Sequence, residues 1–346
     1  MATENVTGSS WGVSVVICCH NSSPRLPQTL AHLAVQQVEP ALSWEVIVVD
    51  NASSDGTADA AVACWPDDAP APLSIVAESQ LGIGHARLCG LKHASFEILL
   101  FVDDDNWLAP NWIQTVDEIF QEHPEVAACG GCNEAVFEIE PPAWFERFKL
   151  RYAIGEQGDK EGDVTETRQR LWGAGIAIRK AAWQGLIGAG FSPLLVGTRG
   201  TRSAGGGEDS ELCRALVLAG WRLWYSPRLR LQHYMPASRL DWNYLRGLAR
   251  GNGRADIWLT LYKENQTPRR AAAEPLHRTK RLLRHRRRLL RPLVSPNQGD
   301  PTVLHVENDV AALWESIRNF RRYQAVAQEM PLAMWRSSSH IVSKAG

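Results

Sequence analysis

Short apolar runs rich in Val, Ile and Leu alternate with helical segments throughout the first 130 residues. The runs cover residues 13–19, 44–50, 73–77 and 97–102, and the helical segments cover residues 26–37, 57–64, 84–94 and 111–122. Strands that are apolar on both faces are typical of a parallel sheet covered by helices on both sides. The pattern therefore predicts an α/β fold with a doubly wound, mostly parallel sheet.

Carboxylates directly follow two of these runs. Asp50 comes after the second run, and Asp103, Asp104 and Asp105 come after the fourth. Ligands of open α/β sheets bind at the carboxyl ends of the strands, so these side chains stand where function is expected. Three adjacent carboxylates suit a hard divalent cation such as Mg²⁺ or Mn²⁺, although a solvated acidic turn has the same composition.

The segment 50–57, with the sequence DNASSDGT, predicts a tight turn that leads into the next helix. One interpretation is structural, since Thr57 can cap that helix. In the other, the polar groups of Asp50, Asn51 and Asp55 recognise a nucleotide base or ribose at the edge of the sheet. The residues alone leave both open.

Two further acids, Glu208 and Asp209, follow three glycines and begin a helix predicted over 208–219. Acids in the first turn of a helix are favoured by its dipole, so capping is one interpretation. A general base carried at a flexible loop is the other. His233 ends a strand-like run, where it is a structural histidine, a metal ligand or a phosphate contact.

The charge of the chain is unevenly distributed. Residues 1–130 hold 3 Lys or Arg against 17 Asp or Glu, whereas residues 266–291 hold 10 basic residues and one acid. An acidic half is a poor nucleic-acid binder but a plausible host for a metal ion. The G-x-G of residues 82–84 has Arg87 in place of the last glycine of the G-x-G-x-x-G fingerprint, which argues against a dinucleotide-binding dehydrogenase.

The ordered set of motifs resembles the family 2 glycosyltransferases, whose nucleotide-binding domain has the GT-A fold. The matching pieces lie between about residues 13 and 236, and they are residues 13–21, 48–57, 84–87, 101–105, 172–180 and 207–213. This resemblance implies three parts of the chain. They are a nucleotide-sugar-binding half over 1–130, an acceptor and catalytic half over 131–240, and a mostly helical C-terminal extension over 241–346.

The resemblance also implies roles for single residues, on the catalytic side first. Asp209 matches the catalytic base of the family, and Glu208 would support it or touch the acceptor. Asp105 would ligate the Mn²⁺ or Mg²⁺ ion that bridges the diphosphate, with Asp103 nearby. His233 would be a further metal ligand.

On the nucleotide side, the resemblance places Asp50 at the base of the donor. The neighbouring Asn51 and Asp55, together with Asp103 and Asp104 of the other cluster, belong to the same nucleotide site. Arg87 would lie near the nucleotide or its phosphates. A UDP-sugar is the favoured donor, with GDP- and dTDP-sugars as alternatives.

The activity implied is inverting, metal-dependent transfer of one sugar to a glycan, a lipid-linked glycan or a small molecule, in cell-surface polysaccharide or glycoconjugate synthesis. The chain departs from the family at Leu88, where an asparagine is usual, and it has no Q-x-x-R-W segment. The second departure argues against a processive synthase. A non-catalytic sugar-nucleotide-binding protein and a nucleotidyltransferase are the alternatives.

The basic segment 266–291 stands apart from these motifs. Its leucines and arginines recur at helical spacing, which is typical of a helix that lies on an anionic membrane, and a solvated or partner-facing helix is the alternative. No apolar stretch approaches the length of a membrane span, and the N-terminus lacks the pattern of a signal peptide. We therefore predict a cytoplasmic protein, with peripheral contact at the inner face of the membrane and no nucleic-acid partner.

Overall fold

The computed structural model describes residues 10–195, 206–263, 268–284, 298–330 and Trp335. Within these ranges nine strands form one sheet with the order β3-β2-β1-β4-β8-β6-β9-β5, and β7 pairs with β9. The strands are β1 (Ser10–Cys19), β2 (Trp44–Asn51), β3 (Leu73–Glu78), β4 (Phe96–Val102), β5 (Asn106–Leu108), β6 (Val126–Phe137), β7 (Gly162–Asp163), β8 (Ala177–Arg179) and β9 (Arg222–Met235).

The predicted parallel sheet is confirmed for the first half of the chain. Strands β3, β2, β1 and β4 are all parallel, and the strand order reverses between β1 and β4. Cys19 pairs with Asp50, and Ile17 pairs with Val102, so the carboxyl ends of β1, β2 and β4 meet at one edge. The other half of the sheet is mixed, because β8 is antiparallel to both β4 and β6.

Helices cover both faces of the sheet. They are α1 (Leu26–Ala34), α2 (Thr57–Cys64), α3 (Ile83–His93), α4 (Trp112–Glu122), α5 (Phe145–Phe148), α6 (Lys180–Gly188), α7 (Glu208–Leu218), α8 (Trp242–Leu259), α9 (Pro268–Arg284), α10 (Pro301–Arg318) and α11 (Phe320–Glu329). On β1, Val16 packs into one buried core with α3 and α7, while Val15 and Ile17 pack into another with α1 and α4. Burial on both faces explains why the strand sequences are continuously apolar.

Residues 171–179 have strand-like composition, but only Ala177–Arg179 form a strand. The first part of this segment curls, because Gly175 has a φ of 72°. A Cβ atom there would lie 2.7 Å from the Trp112 ring, so the tight approach requires glycine. Strand β9 runs through Pro227 without interruption.

The described residues beyond 241 are mostly helical, which confirms the predicted helical C-terminal region. Helix α8 packs against α10, and a third buried cluster joins Trp242 and Val303 to Trp144 and Phe148. The basic segment is α9 over residues 268–284, while residues 266–267 and 285–291 lie outside the described residues. Among the helices that the structure describes, none is both long and apolar enough to cross a membrane.

Candidate active site

The turns after β1 and β2 are joined by hydrogen bonds. Asp50 accepts from the Ser53 backbone N–H at 3.1 Å, and Asp55 accepts from Thr57 Oγ1 at 2.5 Å and from the Ser23 N–H at 3.0 Å. Desolvation acts to raise the pKa of Asp55, but these hydrogen bonds outweigh it and lower the pKa to about 2. Asp55 therefore stays ionised and fixes one turn against the other.

The amide of Asn51 is committed to the backbone of a neighbouring loop. Its Nδ2 donates to the carbonyl oxygens of Glu78 and Gln80 at 3.0 and 2.7 Å, and its Oδ1 accepts from the Gly82 N–H at 2.7 Å. Asn51 is buried, so these contacts satisfy a polar group that would otherwise cost stability. The residue positions the loop that leads into α3.

A pocket of about 190 Å³ opens at the carboxyl end of β1. It is lined by Cys19, His20 and Asn51 on the sheet side, and by Gly82 at the start of α3. Gly82 gives α3 no side-chain cap, and a helix N-terminus of this kind favours an anion. The pocket lies at the topological switch point, where nucleotides bind in doubly wound sheets.

The three carboxylates after β4 face different partners. Asp104 pairs with Arg25 at 2.5 Å, and burial together with the charge of Asp105 raises its pKa. The Asp103 backbone N–H donates to Asn106 Oδ1 at 3.2 Å, while Asn106 Nδ2 donates to Asp105 Oδ1 at 3.0 Å. The fully buried Asn106 thus fixes the turn that separates the three side chains.

Asp105, 1% exposed, faces β9 and the turn that follows it. Its Oδ1 lies 3.4 Å from His233 Nε2, and its Oδ2 accepts from Arg239 Nη2 at 2.5 Å. Arg239 Nη1 lies 3.1 Å from the same His233 nitrogen. Burial acts to lower the pKa of Arg239, but the charge of Asp105 raises it overall. Asp105, His233 and Arg239 thus form one cluster, in which the first two side chains are buried.

Asp209, at the start of α7, pairs with the buried guanidinium of Arg87. Burial acts to lower the pKa of Arg87, but the charges of Asp209 and then Asp103 raise it overall. The Arg87 guanidinium also lies over the Phe101 ring, 5.4 Å from its centroid. Arg87 therefore joins α7 to the end of β4.

Gly173 makes room for this ion pair. A Cβ atom at position 173 would lie 2.5 Å from Asp209 Cγ and 2.6 Å from Arg87 Nη2. No side chain other than hydrogen fits there without moving the carboxylate. Gly173 is therefore required for a steric reason that the sequence alone does not show.

Helix α7 is anchored by the buried carboxylate of Glu211. Glu211 Oε1 accepts from the Leu194 N–H at 2.7 Å and from the Tyr262 hydroxyl at 2.5 Å, and Oε2 accepts from the Leu195 N–H at 3.0 Å. Burial raises its pKa above the usual value. Glu208 lies one turn earlier and lines a small pocket with Arg87 and Trp183.

The donors available for a metal ion are those of Asp103, Asp105 and His233. Over the ranges that the structure describes, no three His, Cys, Asp or Glu side chains converge into a complete metal cage. Asp105 and His233 do converge, and their 3.4 Å separation is close to the roughly 3 Å between two ligands of one ion bound at about 2.1 Å. Mg²⁺ sites of this kind take one or two protein ligands and complete the shell with phosphate and water.

A groove of about 1070 Å³ lies beside the second half of β6. Asn133 and Glu134 of β6 line it together with Lys149, Leu150 and Arg168. The guanidinium of Arg168 stacks on the half-buried Trp172 at 4.7 Å, and Trp172 is followed directly by Gly173. Arg168 therefore links the groove to Trp172.

Several residues of the site carried no usable sequence signal. Arg25 and Arg239 lie in segments without a motif, and they bring positive charge to a cluster that the sequence describes only by its carboxylates. Trp144 and Trp183 are buried in the cores, whereas Trp172 is half-buried and contacts Arg168 of the groove.

Known proteins are similar to this chain in sequence. Residues 14–183 match the family model described as glycosyl transferase family 2. The chain is 23% identical over 236 residues to the glucosyl-dolichyl phosphate glucuronosyltransferase of Haloferax volcanii, covering 67% of this chain and 72% of that one. It is 25% identical over 235 residues to the succinoglycan biosynthesis protein ExoM of Rhizobium meliloti, covering 67% and 70%.

A solved structure has a similar fold. The structure of residues 1–349 of S. aureus TarS in complex with UDP-GlcNAc superposes with a TM-score of 0.52 at 16% identity, covering 96% of this chain and 92% of that one. The family model and the similar fold identify residues 14–183 as a family 2 glycosyltransferase domain, of the class that moves a sugar from a nucleotide-sugar donor. The predicted family is confirmed for these residues, and the predicted GT-A fold is confirmed by the similar structure.

Proposed function

We propose that this chain is an inverting, metal-dependent glycosyltransferase that moves one sugar at a time to a glycan, lipid-linked or small-molecule acceptor. Its pathway would be the synthesis of a cell-surface polysaccharide or glycoconjugate. The observation that carries the proposal is the Asp209–Arg87 ion pair, which holds one carboxylate at the sheet edge that also bears residues 103–105.

Asp209 is the base in this proposal. An acceptor hydroxyl has a very high pKa, so its proton must pass to a positioned carboxylate as the hydroxyl attacks the sugar. Arg87 orients that carboxylate, and Glu208 supports it on the acceptor side. A single displacement by the hydroxyl inverts the anomeric centre.

The leaving group is a nucleoside diphosphate, and its developing charge needs an offset. A Mn²⁺ or Mg²⁺ ion bound to the diphosphate supplies that charge. Asp105 and His233 would hold the ion, with Asp103 facing it from the same turn. The 3.4 Å between Asp105 Oδ1 and His233 Nε2 is close to the separation of two ligands of one ion, which supports this assignment.

The 190 Å³ pocket would hold the nucleotide. Its position at the end of β1, the uncapped start of α3 and the adjacent Arg25 all favour an anionic ligand. Asp50 would face the base from the turn after β2, while Asn51 and Asp55 would hold the walls in place. A UDP-sugar is the donor we favour, since the similar TarS structure is a complex with UDP-GlcNAc.

The groove beside β6 would receive the acceptor. It combines the basic side chains of Lys149 and Arg168 with the apolar Leu150, a composition that suits a sugar attached to an anionic carrier. Its relatives include a glucosyl-dolichyl phosphate glucuronosyltransferase and a poly(ribitol-phosphate) β-N-acetylglucosaminyltransferase. The acceptor of each of these two enzymes contains phosphate.

A lipid-linked acceptor would require contact with a membrane, and the basic segment 266–291 is suited to it. Exposed apolar side chains recur at helical spacing on two packed helices: Leu276 and Leu283 on α9, and Val310, Trp314 and Ile317 on α10. Lys280 lies on the exposed side between the two α9 leucines. Apolar residues interleaved with cations favour an anionic lipid surface.

This contact predicts salt-sensitive binding to vesicles that contain anionic lipid. Changing Leu276 and Leu283 together to Gln should weaken sedimentation with such vesicles. Val62→Gln is the matched control, since Val62 is an exposed apolar residue on α2, far from the basic segment in the chain. Unchanged sedimentation of the double variant would refute the contact through α9.

A donor screen tests the catalytic proposal. Nucleotide release would be measured with Mn²⁺ and a panel of UDP-, GDP- and dTDP-sugars, for the wild type, Asp105→Asn and Asp209→Asn. We expect release from one donor, lost in both variants. Donor binding without release by the wild type, even with acceptor extracts added, would favour a non-catalytic binding protein. An absence of any nucleotide binding would refute the assigned site.

A further inference from the structure

Arg239 lies between two side chains that the proposed function treats as metal ligands. Its Nη2 donates to Asp105 Oδ2 at 2.5 Å, and its Nη1 donates to His233 Nε2 at 3.1 Å. One guanidinium thus engages both groups at once. It occupies the space toward which the lone pairs of the carboxylate and the imidazole are directed.

The contact with Arg239 engages the nitrogen of His233 that faces Asp105. A guanidinium can only donate hydrogen bonds, so Nε2 is the acceptor in this contact. A metal ion would have to bind the same nitrogen. Arg239 therefore stands where a cation would have to approach His233.

Charge balance explains why an arginine stands there. A carboxylate as buried as that of Asp105 is costly without a counter-charge, and Arg239 provides one. A divalent cation about 2.1 Å from both Asp105 and His233 would lie in contact with this guanidinium. The two positive charges would repel each other strongly at that distance, so they cannot share the position.

We propose that Arg239 is a resident counter-ion of Asp105 and His233, and that a divalent cation binds these two ligands only by displacing its guanidinium. The inference rests on the metal site of the proposed function. Arg239 also lines the 190 Å³ pocket, which gives the displaced side chain room to turn toward an anionic ligand. Metal and nucleoside diphosphate should therefore strengthen each other's binding, because both favour the displaced arginine.

The test is Mn²⁺ binding by the full chain without nucleotide, followed by the electron paramagnetic resonance signal of free Mn²⁺. Arg239→Gln should bind Mn²⁺ at least about tenfold more tightly than the wild type, since a charged hydrogen bond no longer has to be broken. The matched control is Arg25→Gln, which removes a cation from the same pocket but leaves Arg239 in place. We expect it to change the affinity by less than about threefold.

Unchanged or weaker Mn²⁺ binding by Arg239→Gln would overturn the proposal. An equal gain in Arg25→Gln would also overturn it, because it would show a general effect of charge. Adding Asp105→Asn to Arg239→Gln should abolish the gain, which assigns the ion to Asp105.

A measurement on the wild type avoids dependence on variant folding. Mg²⁺ should shift the ¹⁵N resonances of the Arg239 guanidinium more than those of Arg25, and equal or absent shifts would contradict displacement. Nucleotide release by the wild type in EDTA tests the proposed function separately. Full activity in EDTA would refute metal-dependent transfer, while the Mn²⁺ titration would still decide the role of Arg239.

Discussion

Replacing Gly173 by alanine should disable transfer and leave the fold intact. The added methyl carbon would lie 2.5 Å from Asp209 Cγ and 2.6 Å from Arg87 Nη2. Non-bonded carbon atoms normally approach to about 3.5–4.0 Å, so the ion pair must retreat by about 1 Å. The φ of Gly173 lies outside the left-handed region, so the alanine meets the ion pair without added backbone strain.

A misplacement of about 1 Å in a catalytic group costs about 10²-fold in rate. We therefore expect kcat of Gly173→Ala to fall by about that factor. The affinity for the donor should stay near that of the wild type, because Gly173 does not line the 190 Å³ pocket. Steady-state transfer and calorimetric donor binding would measure the two quantities.

Gly188→Ala is the matched control, since a Cβ atom there meets nothing within 4 Å. It should keep both full activity and the melting temperature of the wild type. A Gly173→Ala protein with kcat within about threefold of the wild type would refute the argument that the Asp209 position limits the reaction. A large loss of thermal stability would instead assign the effect to folding.

Three further changes test other parts of the account. Glu211→Gln places an amide donor against the Leu195 N–H, so the free energy of unfolding measured in urea should fall by about 1–3 kcal/mol. An unchanged free energy of unfolding would contradict the role of Glu211 in anchoring α7. The lowered pKa of Asp55 stabilises the fold at pH above the usual carboxylate value, and this contribution is lost as pH falls toward 2. Asp55→Asn should therefore lower the free energy of unfolding at pH 6, and this free energy should fall less steeply between pH 4 and 2 than in the wild type. The same fall in both proteins would contradict the role of Asp55. Trp172→Ala should raise KM for the acceptor more than KM for the donor, and the opposite order would remove Trp172 from the acceptor site.

The sequence predicted the parallel half of the fold because its strands are buried on both faces. Continuous runs such as residues 44–50 are typical of that environment, and they became β2 and its neighbours with bounds shifted by a few residues. The acids that follow the runs then fell at one edge of the sheet. Asp50 and residues 103–105 could be brought together from the sequence for this reason.

The rest of the site depends on turns and long-range contacts, which leave no periodic signal. The side chain of Asn106 holds the turn that contains residues 103–105. In this turn Asp104 contacts Arg25, while Asp105 contacts His233 of β9. The partner of Asp105, Arg239, lies in a short turn beyond β9. No spacing rule connects positions so far apart in the chain.

The segment before β8 shows the same limit. Residues 171–176 have strand-like composition, yet the glycines there serve close packing against Trp112 and the Asp209–Arg87 pair. The sequence shows that glycine is present but not what approaches it. The asparagine at position 51 is similar, because its three backbone partners belong to a loop that the sequence does not place.

The central claim is that Asp209 accepts the proton of the acceptor, and single-turnover transfer by Asp209→Asn tests it most directly. The reaction would use the donor found in the screen, with donor affinity measured on the same protein. We predict a rate lower by about 10²–10⁴-fold with donor affinity within about threefold of the wild type, and inverted configuration in the wild-type product. Transfer by Asp209→Asn at close to the wild-type rate would contradict the claim.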